Sequence, residues 1–164
     1  MNQSESTINQ SFSVRRAVAT DAEQIANVTH EAFLKYVKSA ALPTTDALSE
    51  TLEQVQRDIE TKNVYAAVLD GVIIGSVRIA LDGTGGAYLS RFGVSDAYRS
   101  TGAGKALMDA VDADMARLGV KRLSLHTSSK VQSLIIFYYS KGFYVESTST
   151  DKGYIRALLV KEYL

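Results

Sequence analysis

The chain of 164 residues contains no cysteine. That excludes disulfides, thiolate metal sites and a cysteine nucleophile, and it suits a reducing compartment, so the chain reads as cytoplasmic. Proline is nearly absent. The single one, Pro43, marks Ala40 to Thr45 as a connector. Neither sign of charge dominates, with 18 acidic and 18 basic residues, so no broad electrostatic footprint points to nucleic acid or an anionic membrane. No apolar run approaches the roughly 18 residues of a membrane span. Met1 to Ser11 is polar and lacks the apolar stretch of a signal peptide. Residues 1–11 read as a disordered leader and residues 12–164 as one domain. Histidine is scarce too. His30 and His126 are too isolated to argue for a metal, and no metal is expected.

What is present has the composition of a soluble globular domain, 46% hydrophobic and 22% charged. Phe12 to Val18 alternates and predicts a first strand. Thr20-Asp21-Ala22-Glu23 has the form of a capping box, with Ile25, Val28, Ala32 and Tyr36 following at helical spacing to about Lys38. Leu48, Leu52, Val55 and Ile59 predict a second amphipathic helix. Val64 to Leu69 and Val72 to Leu81 read as a hairpin, because Asp70-Gly71 suits a type I′ turn. A glycine loop at Gly83, Gly85 and Gly86 leads to a fourth strand, Ala87 to Val94. A third helix buries Leu107, Met108, Val111, Met115 and Leu118 and ends at Gly119. Arg122 to Thr127 is a strand, and Val131, Leu134, Ile135 and Tyr138 share a face of a fourth helix ended by Gly142. Phe143 to Ser147 and Tyr154 to Val160 complete about seven strands and four helices in a mixed α/β sheet.

The segment between the fourth strand and the third helix carries the chemistry. Arg99-Ser100-Thr101-Gly102-Ala103-Gly104 opens a helix whose first amides have no internal partner and sit at the positive end of its dipole. Glycines let a ligand approach the main chain, so the turn is a cradle for phosphate oxygens. Arg99 adds a cation, and Lys105 is placed to add another. A Walker A loop would need glycine where Arg99 stands, and a dinucleotide fingerprint would need one where Leu107 stands. The bland alternative is a glycine turn that merely starts a helix.

Leu89-Ser90-Arg91-Phe92-Gly93-Val94, Tyr98-Arg99 and Gly102-Ala103-Gly104-Lys105-Ala106-Leu107-Met108 together resemble the central motif of the GCN5-related N-acetyltransferases (GNAT superfamily). The resemblance runs from about residue 12 to the end in element order as well. It implies the acyl-CoA N-acyltransferase fold, splayed between its fourth and fifth strands, and acetyl-CoA as co-substrate. It also implies that Arg99, Ser100, Thr101, Gly102, Ala103, Gly104 and Lys105 hold the coenzyme pyrophosphate. By the same resemblance the backbone at Phe92, Gly93 and Val94 pairs with the pantetheine arm as an added strand.

Phe137-Tyr138-Tyr139-Ser140-Lys141-Gly142-Phe143 is similar to the family's second signature. The match implies that Tyr138 lies near the coenzyme sulfur and protonates the leaving thiolate, with the core aromatic as the bland reading. Tyr139 points about 100° around the helix, away from that site. Two positions depart from the family pattern. Val131 stands where many members carry an asparagine, with Ser128, Ser129 or Gln132 as substitutes. Tyr88 stands near the usual glutamate base, which leaves no general base visible.

On the acceptor side, Arg78, Arg91 and Arg156 lie in strands, where the bland reading puts each on a solvent face. The sharper reading has at least one of them hold a carboxylate or phosphate, with Tyr36, Tyr88 and Tyr154 as aromatic walls. His126 lies near a strand end facing the sheet's opening, where the sharper reading has it touch the ligand and the bland, favoured one makes it a satisfied structural histidine. The expected reaction is acetyl transfer to a primary amine of a small molecule or peptide, without a covalent enzyme intermediate. Two alternatives stand beside it: a non-catalytic acyl-CoA-binding module, and an acetyltransferase of protein lysines or N-termini. A homodimer is left open.

Overall fold

The structure, a computed structural model, describes residues 12–164, so the leader expected over 1–11 lies outside the described residues. Strand β1 (Ser13–Arg16) enters helix α1 (Ala22–Ala40) through a short 3-10 turn. The expected Thr20 cap is not formed. Asp21 takes the position instead: its carboxylate accepts from the Val18 N–H at 2.8 Å and pairs with Arg15 at 2.6 Å. Helix α1 ends at Ala41 in the left-handed region.

The periodic run Leu48 to Ile59 is not one helix. A 3-10 turn covers Asp46–Ser49, Glu50 is extended, and helix α2 (Leu52–Thr61) starts afresh. Thr51 and Gln54 form the reciprocal cap that starts it, at 3.2 and 2.9 Å. Strands β2 (Asn63–Leu69) and β3 (Val72–Leu81) make the expected hairpin, with Asp70 at φ 49° and Gly71 at φ 77°, as a type I′ turn requires. Strand β4 (Gly86–Val94), helix α3 (Ala103–Arg117), strand β5 (Arg122–Ser128) and helix α4 (Gln132–Ser140) come next. Strands β6 (Tyr144–Ser149) and β7 (Arg156–Glu162) close the chain.

The seven strands form one sheet in the order β1-β2-β3-β4-β5-β7-β6, and every neighbouring pair is antiparallel except β4 with β5. Both faces are covered. On one face Ile25, Val28 and Val55 of α1 and α2 pack on Val64, Ala66 and Ile73. On the other, Leu107, Met108, Val111 and Met115 of α3 pack on Tyr65, Ala67, Leu89, Leu123 and Leu125. Successive residues of β2 thus serve opposite cores, as a two-residue repeat demands. Each large aliphatic side chain buried this way contributes about 1.5–3 kcal/mol.

Two features of β4 shape the face it turns to α1. Its ladder to β3 slips by one residue, so that Ser76 faces Gly93 while Arg78 faces Ser90. The extra residue is a bulge, with Arg91 at φ 54°. Beyond the bulge α1 comes so close that a Cβ on Gly93 would lie 2.6 Å from the Ala32 Cβ. Among the described residues no helix is long and apolar enough to cross a membrane, and no cluster of three metal-ligating side chains occurs.

Candidate active site

The parallel ladder between β4 and β5 has only three rungs, the last joining Tyr88 to Ser124. Past it the strands part, and the edge of β4 facing β5 has no strand partner. The fork opens a cleft of about 900 Å³, a size that suits an extended ligand. Phe92, Gly93 and Val94 line it from the free edge of β4, and Phe137 and Tyr138 of α4 line it together with Val131, the residue before that helix.

At one end the cleft meets the glycine-rich turn. The turn leaves β4 at Ser95, whose amide donates to the Ile74 carbonyl at 2.7 Å. Ser100 (φ 66°) and Gly102 (φ 92°) are both left-handed, which aims the following amides outward. The first intrahelical bond of α3 runs from the Ala106 amide to the Gly102 carbonyl, at 2.9 Å. The amides of Ala103, Gly104 and Lys105 precede it, unclaimed by the helix ladder, at the positive end of the dipole. Arg99, Ser100, Gly102, Ala103, Gly104 and Lys105 all border the cleft. Thr101 does not. Its hydroxyl donates back to the Tyr98 carbonyl and braces the turn. Arg99 and Lys105 rest against the exposed carboxylates of Asp96 and Asp109, at 3.3 and 2.7 Å. Such surface pairs are weak, so both cations are free to turn to a phosphate. The backbone and donor set therefore fit a diphosphate.

Replacing Gly102 tests the turn. An added Cβ would meet nothing within 4 Å, so crowding is not the penalty; the positive φ is. A β-branched residue resists that conformation by about 1–2 kcal/mol, which reorients the amides. Gly102→Val is expected to weaken coenzyme A binding about tenfold by calorimetry while the variant stays folded.

In mid-cleft Tyr138 is 4% exposed, its ring against Phe137, Phe143 and Phe92 at centroid distances of 5.5, 5.5 and 6.1 Å. Burial pushes its phenol pKa well up, so the hydroxyl keeps its proton throughout the working range. Tyr139 is half exposed, as the helical rotation predicts. Val131 sits on the wall at the position of the family's asparagine, and two of its substitutes are engaged elsewhere: the Ser128 hydroxyl accepts from the Lys130 amide and the Ser129 hydroxyl donates to the Ile155 carbonyl. Ser133, which no sequence motif singled out, borders the cleft beside Val131.

The far end holds the expected tyrosines. The Tyr36 hydroxyl accepts from the Ser128 amide at 2.9 Å, and Tyr154 stands nearby. The Tyr88 hydroxyl lies 2.8 Å from Nδ1 of His126. Burial lowers the His126 pKa, the Arg156 guanidinium lowers it further, and Asp151 opposes them. The three strand arginines have different fates. Arg156 borders the cleft and pairs with Asp151 at 3.2 Å. Arg91 borders it and pairs with Glu50 at 3.2 Å. Arg78 overturns the solvent-face reading: its side chain is 0% exposed and bridges Glu50 at 2.7 Å and Asp58 at 2.9 Å. The face it points to is covered by α2 and the turn before it. Glu50, which no motif singled out, joins Arg78 to Arg91.

A seven-stranded mixed sheet forked after its fourth strand, with a glycine-rich turn and a helix N-terminus at the fork, is the acyl-CoA N-acyltransferase fold, here as one domain. The chain belongs to the acetyltransferase (GNAT) family, whose profile matches residues 30–143. Its fold is similar to that of PaiA N-acetyltransferase from Thermoplasma acidophilum in complex with coenzyme A, with a TM-score of 0.82 at 20% identity, covering 93% of this chain and 99% of that one. It is also similar to the ribosomal-protein-alanine N-acetyltransferase of Brucella melitensis, with a TM-score of 0.73 at 17% identity over 92% of this chain and 99% of that one. At such identities the likeness is one of fold. In sequence the chain is 28% identical over 141 residues to the mycothiol acetyltransferase of Propionibacterium freudenreichii subsp. shermanii. That match takes in 84% of this chain but only 44% of the relative, so the chain spans less than half of that protein's length.

Proposed function

We propose that the protein transfers the acetyl group of acetyl-CoA to a primary amine, and that the acceptor also carries an anionic group. One observation carries the reading: the unclaimed amides of Ala103–Lys105 open onto the same cleft as the free edge of β4 and the buried phenol of Tyr138. The amides, with Arg99 and Lys105, hold the pyrophosphate. The β4 edge at Phe92–Val94 holds the pantetheine arm by main-chain hydrogen bonds. These contacts fix the thioester in front of the acceptor, and positioning supplies most of the rate. Tyr138 gives its proton to the departing sulfur. The anionic group is argued from charge. Arg91, Lys152 and Arg156 border the acceptor end together with Asp46, while Glu50 and Asp151, which do not line the cleft, pair with Arg91 and Arg156. Among the groups that line this end the cations outnumber the carboxylate, which favours an amino acid or an acidic peptide over a polyamine.

A thiol-release assay with acetyl-CoA tests both parts. Amine-dependent release is expected, faster with amino acids and acidic peptides than with spermidine. Coenzyme binding without release across the whole panel would leave an acyl-CoA-binding module in place of an enzyme. Spermidine as the preferred acceptor would sink the anionic half alone.

A further inference from the structure

An amine attacks a thioester only as the free base, so an ammonium acceptor must lose a proton before transfer. The departure at Tyr88 leaves no carboxylate at that strand position, and Asp46, the carboxylate that borders the cleft, sits on the turn before α2 rather than at the fork. The fork itself offers another acceptor. Tyr88 is the last residue of β4 paired with β5, and His126 lies two residues past its partner Ser124 on β5. Their side chains meet at the apex, where the strands part, with Tyr88 Oη 2.8 Å from His126 Nδ1 and ring centroids 5.7 Å apart. Both residues border the cleft, and Tyr88 is 38% exposed, so this is not a contact sealed in the core.

We propose that Tyr88 and His126 form a proton relay that deprotonates the acceptor amine, a role that rests on the N-acetyltransferase reading above. The Tyr88 oxygen accepts a proton from the ammonium nitrogen as its own O–H proton passes to His126 Nδ1. The amine lone pair then forms the C–N bond to the thioester carbonyl carbon, and the C–S bond breaks with its electron pair on sulfur. Two of the three ammonium protons are lost. One goes through Tyr88 to His126 and on to solvent. The other restores Tyr138 after that phenol has protonated the sulfur. The third stays on the amide nitrogen, so charge and atoms balance.

The surroundings hold both groups in the required resting forms. Arg91 faces the pair from β4, Arg156 from β7, and Asp151 from the β6–β7 connection. Burial, then Arg156, favours neutral imidazole, with Asp151 opposing. Burial also raises the Tyr88 phenol against the pull of Arg156 and Arg91, so it starts protonated. Nδ1 is then free to accept from Tyr88 with the ring proton on Nε2.

Only two histidines occur, so imidazole NMR of the intact chain is simple to assign with a His30→Gln variant, His30 being exposed on α1. We expect His126 to carry its proton on Nε2, and Tyr88→Phe to shift part of that population to Nδ1. With acetyl-CoA and the fastest amine of the panel, Tyr88→Phe and His126→Gln should each lower kcat/KM at neutral pH at least about tenfold. The double variant should be no slower than the slower single one, because the two act as a unit. His126→Gln should also remove the inflection that imidazole protonation adds to the kcat/KM profile below pH 6.5, the ordinary histidine value, and leave a rate that follows only the free-amine fraction of the acceptor. Coenzyme affinity, measured by calorimetry, should not move, which shows the variants folded. Single variants within about twofold of the parent, or an inflection below pH 6.5 that survives His126→Gln, overturn the relay. A parent chain with no amine-dependent release overturns the reading beneath it instead.

Discussion

Tyr138→Phe is expected to lower turnover about a hundredfold and to leave coenzyme A affinity within about twofold. The variant keeps the ring, so the packing against Phe92, Phe137 and Phe143 survives and only the hydroxyl is lost. General acid catalysis is worth about 10²–10⁴ in rate, and the low end applies here because a thiolate leaves well unaided. A hundredfold corresponds to about 2.7 kcal/mol of transition-state stabilisation. Burial raises the proton affinity of the phenol. It does the same for a sulfur anion released beside it, so the transfer is not placed uphill by burial alone. The sign of the shift also sets the pH profile. A raised phenol pKa keeps the donor protonated as pH rises, so Tyr138 contributes no basic limb across the ordinary assay range. Steady-state kinetics with calorimetry on the same samples checks both halves. Unchanged turnover would return Tyr138 to the aromatic core, and lost coenzyme binding would make it a packing residue.

Much of this architecture is legible in short windows of sequence, and the misses share a cause. The hairpin at Asp70-Gly71 and the turn at Gly102 are local: each needs positive φ at one or two residues, and the residue types announce it. The periodic run from Leu48 to Ile59 misleads because its spacing continues across a break. The break has its own local signal, a threonine followed by glutamine at capping distance, Thr51 and Gln54. The same kind of signal at Thr20 fails because Asp21 finds better partners in Arg15 and the Val18 amide. The acceptor end is the least legible. Tyr88 and His126 are 38 positions apart, and Glu50 and Arg78 are 28 apart. A strand arginine states which neighbours share its face, not whether a helix covers that face.

Glu50→Ala is expected to destabilise the fold by about 3–5 kcal/mol, the cost of leaving a buried guanidinium without its main partner. For a chain of this size that lowers Tm by roughly 6–20 °C. Burial works against the charge on Arg78, and the two-point contact with Glu50, at 2.7 Å to each oxygen, outweighs it, with help from Asp58. The Ala variant keeps only Asp58, which is 20% exposed and shares itself with Lys62 at 3.3 Å. Glu50→Gln retains an acceptor and should lose less. Arg78→Met combined with Glu50→Leu removes both charges together, and should be more stable than Glu50→Ala by at least about 1 kcal/mol. The same change reaches the cleft, because Glu50 also anchors Arg91 at the left-handed bulge of β4. Arg91 then loses its tether beside the acceptor end, so KM for an anionic acceptor should rise even at temperatures where Glu50→Ala remains folded. Thermal denaturation with the double-variant cycle measures the first effect, and acceptor KM at low temperature measures the second. A Glu50→Ala protein as stable as the parent would mean that Asp58 alone satisfies Arg78, and that the junction of α2 with β3 and β4 is held by packing rather than by this carboxylate.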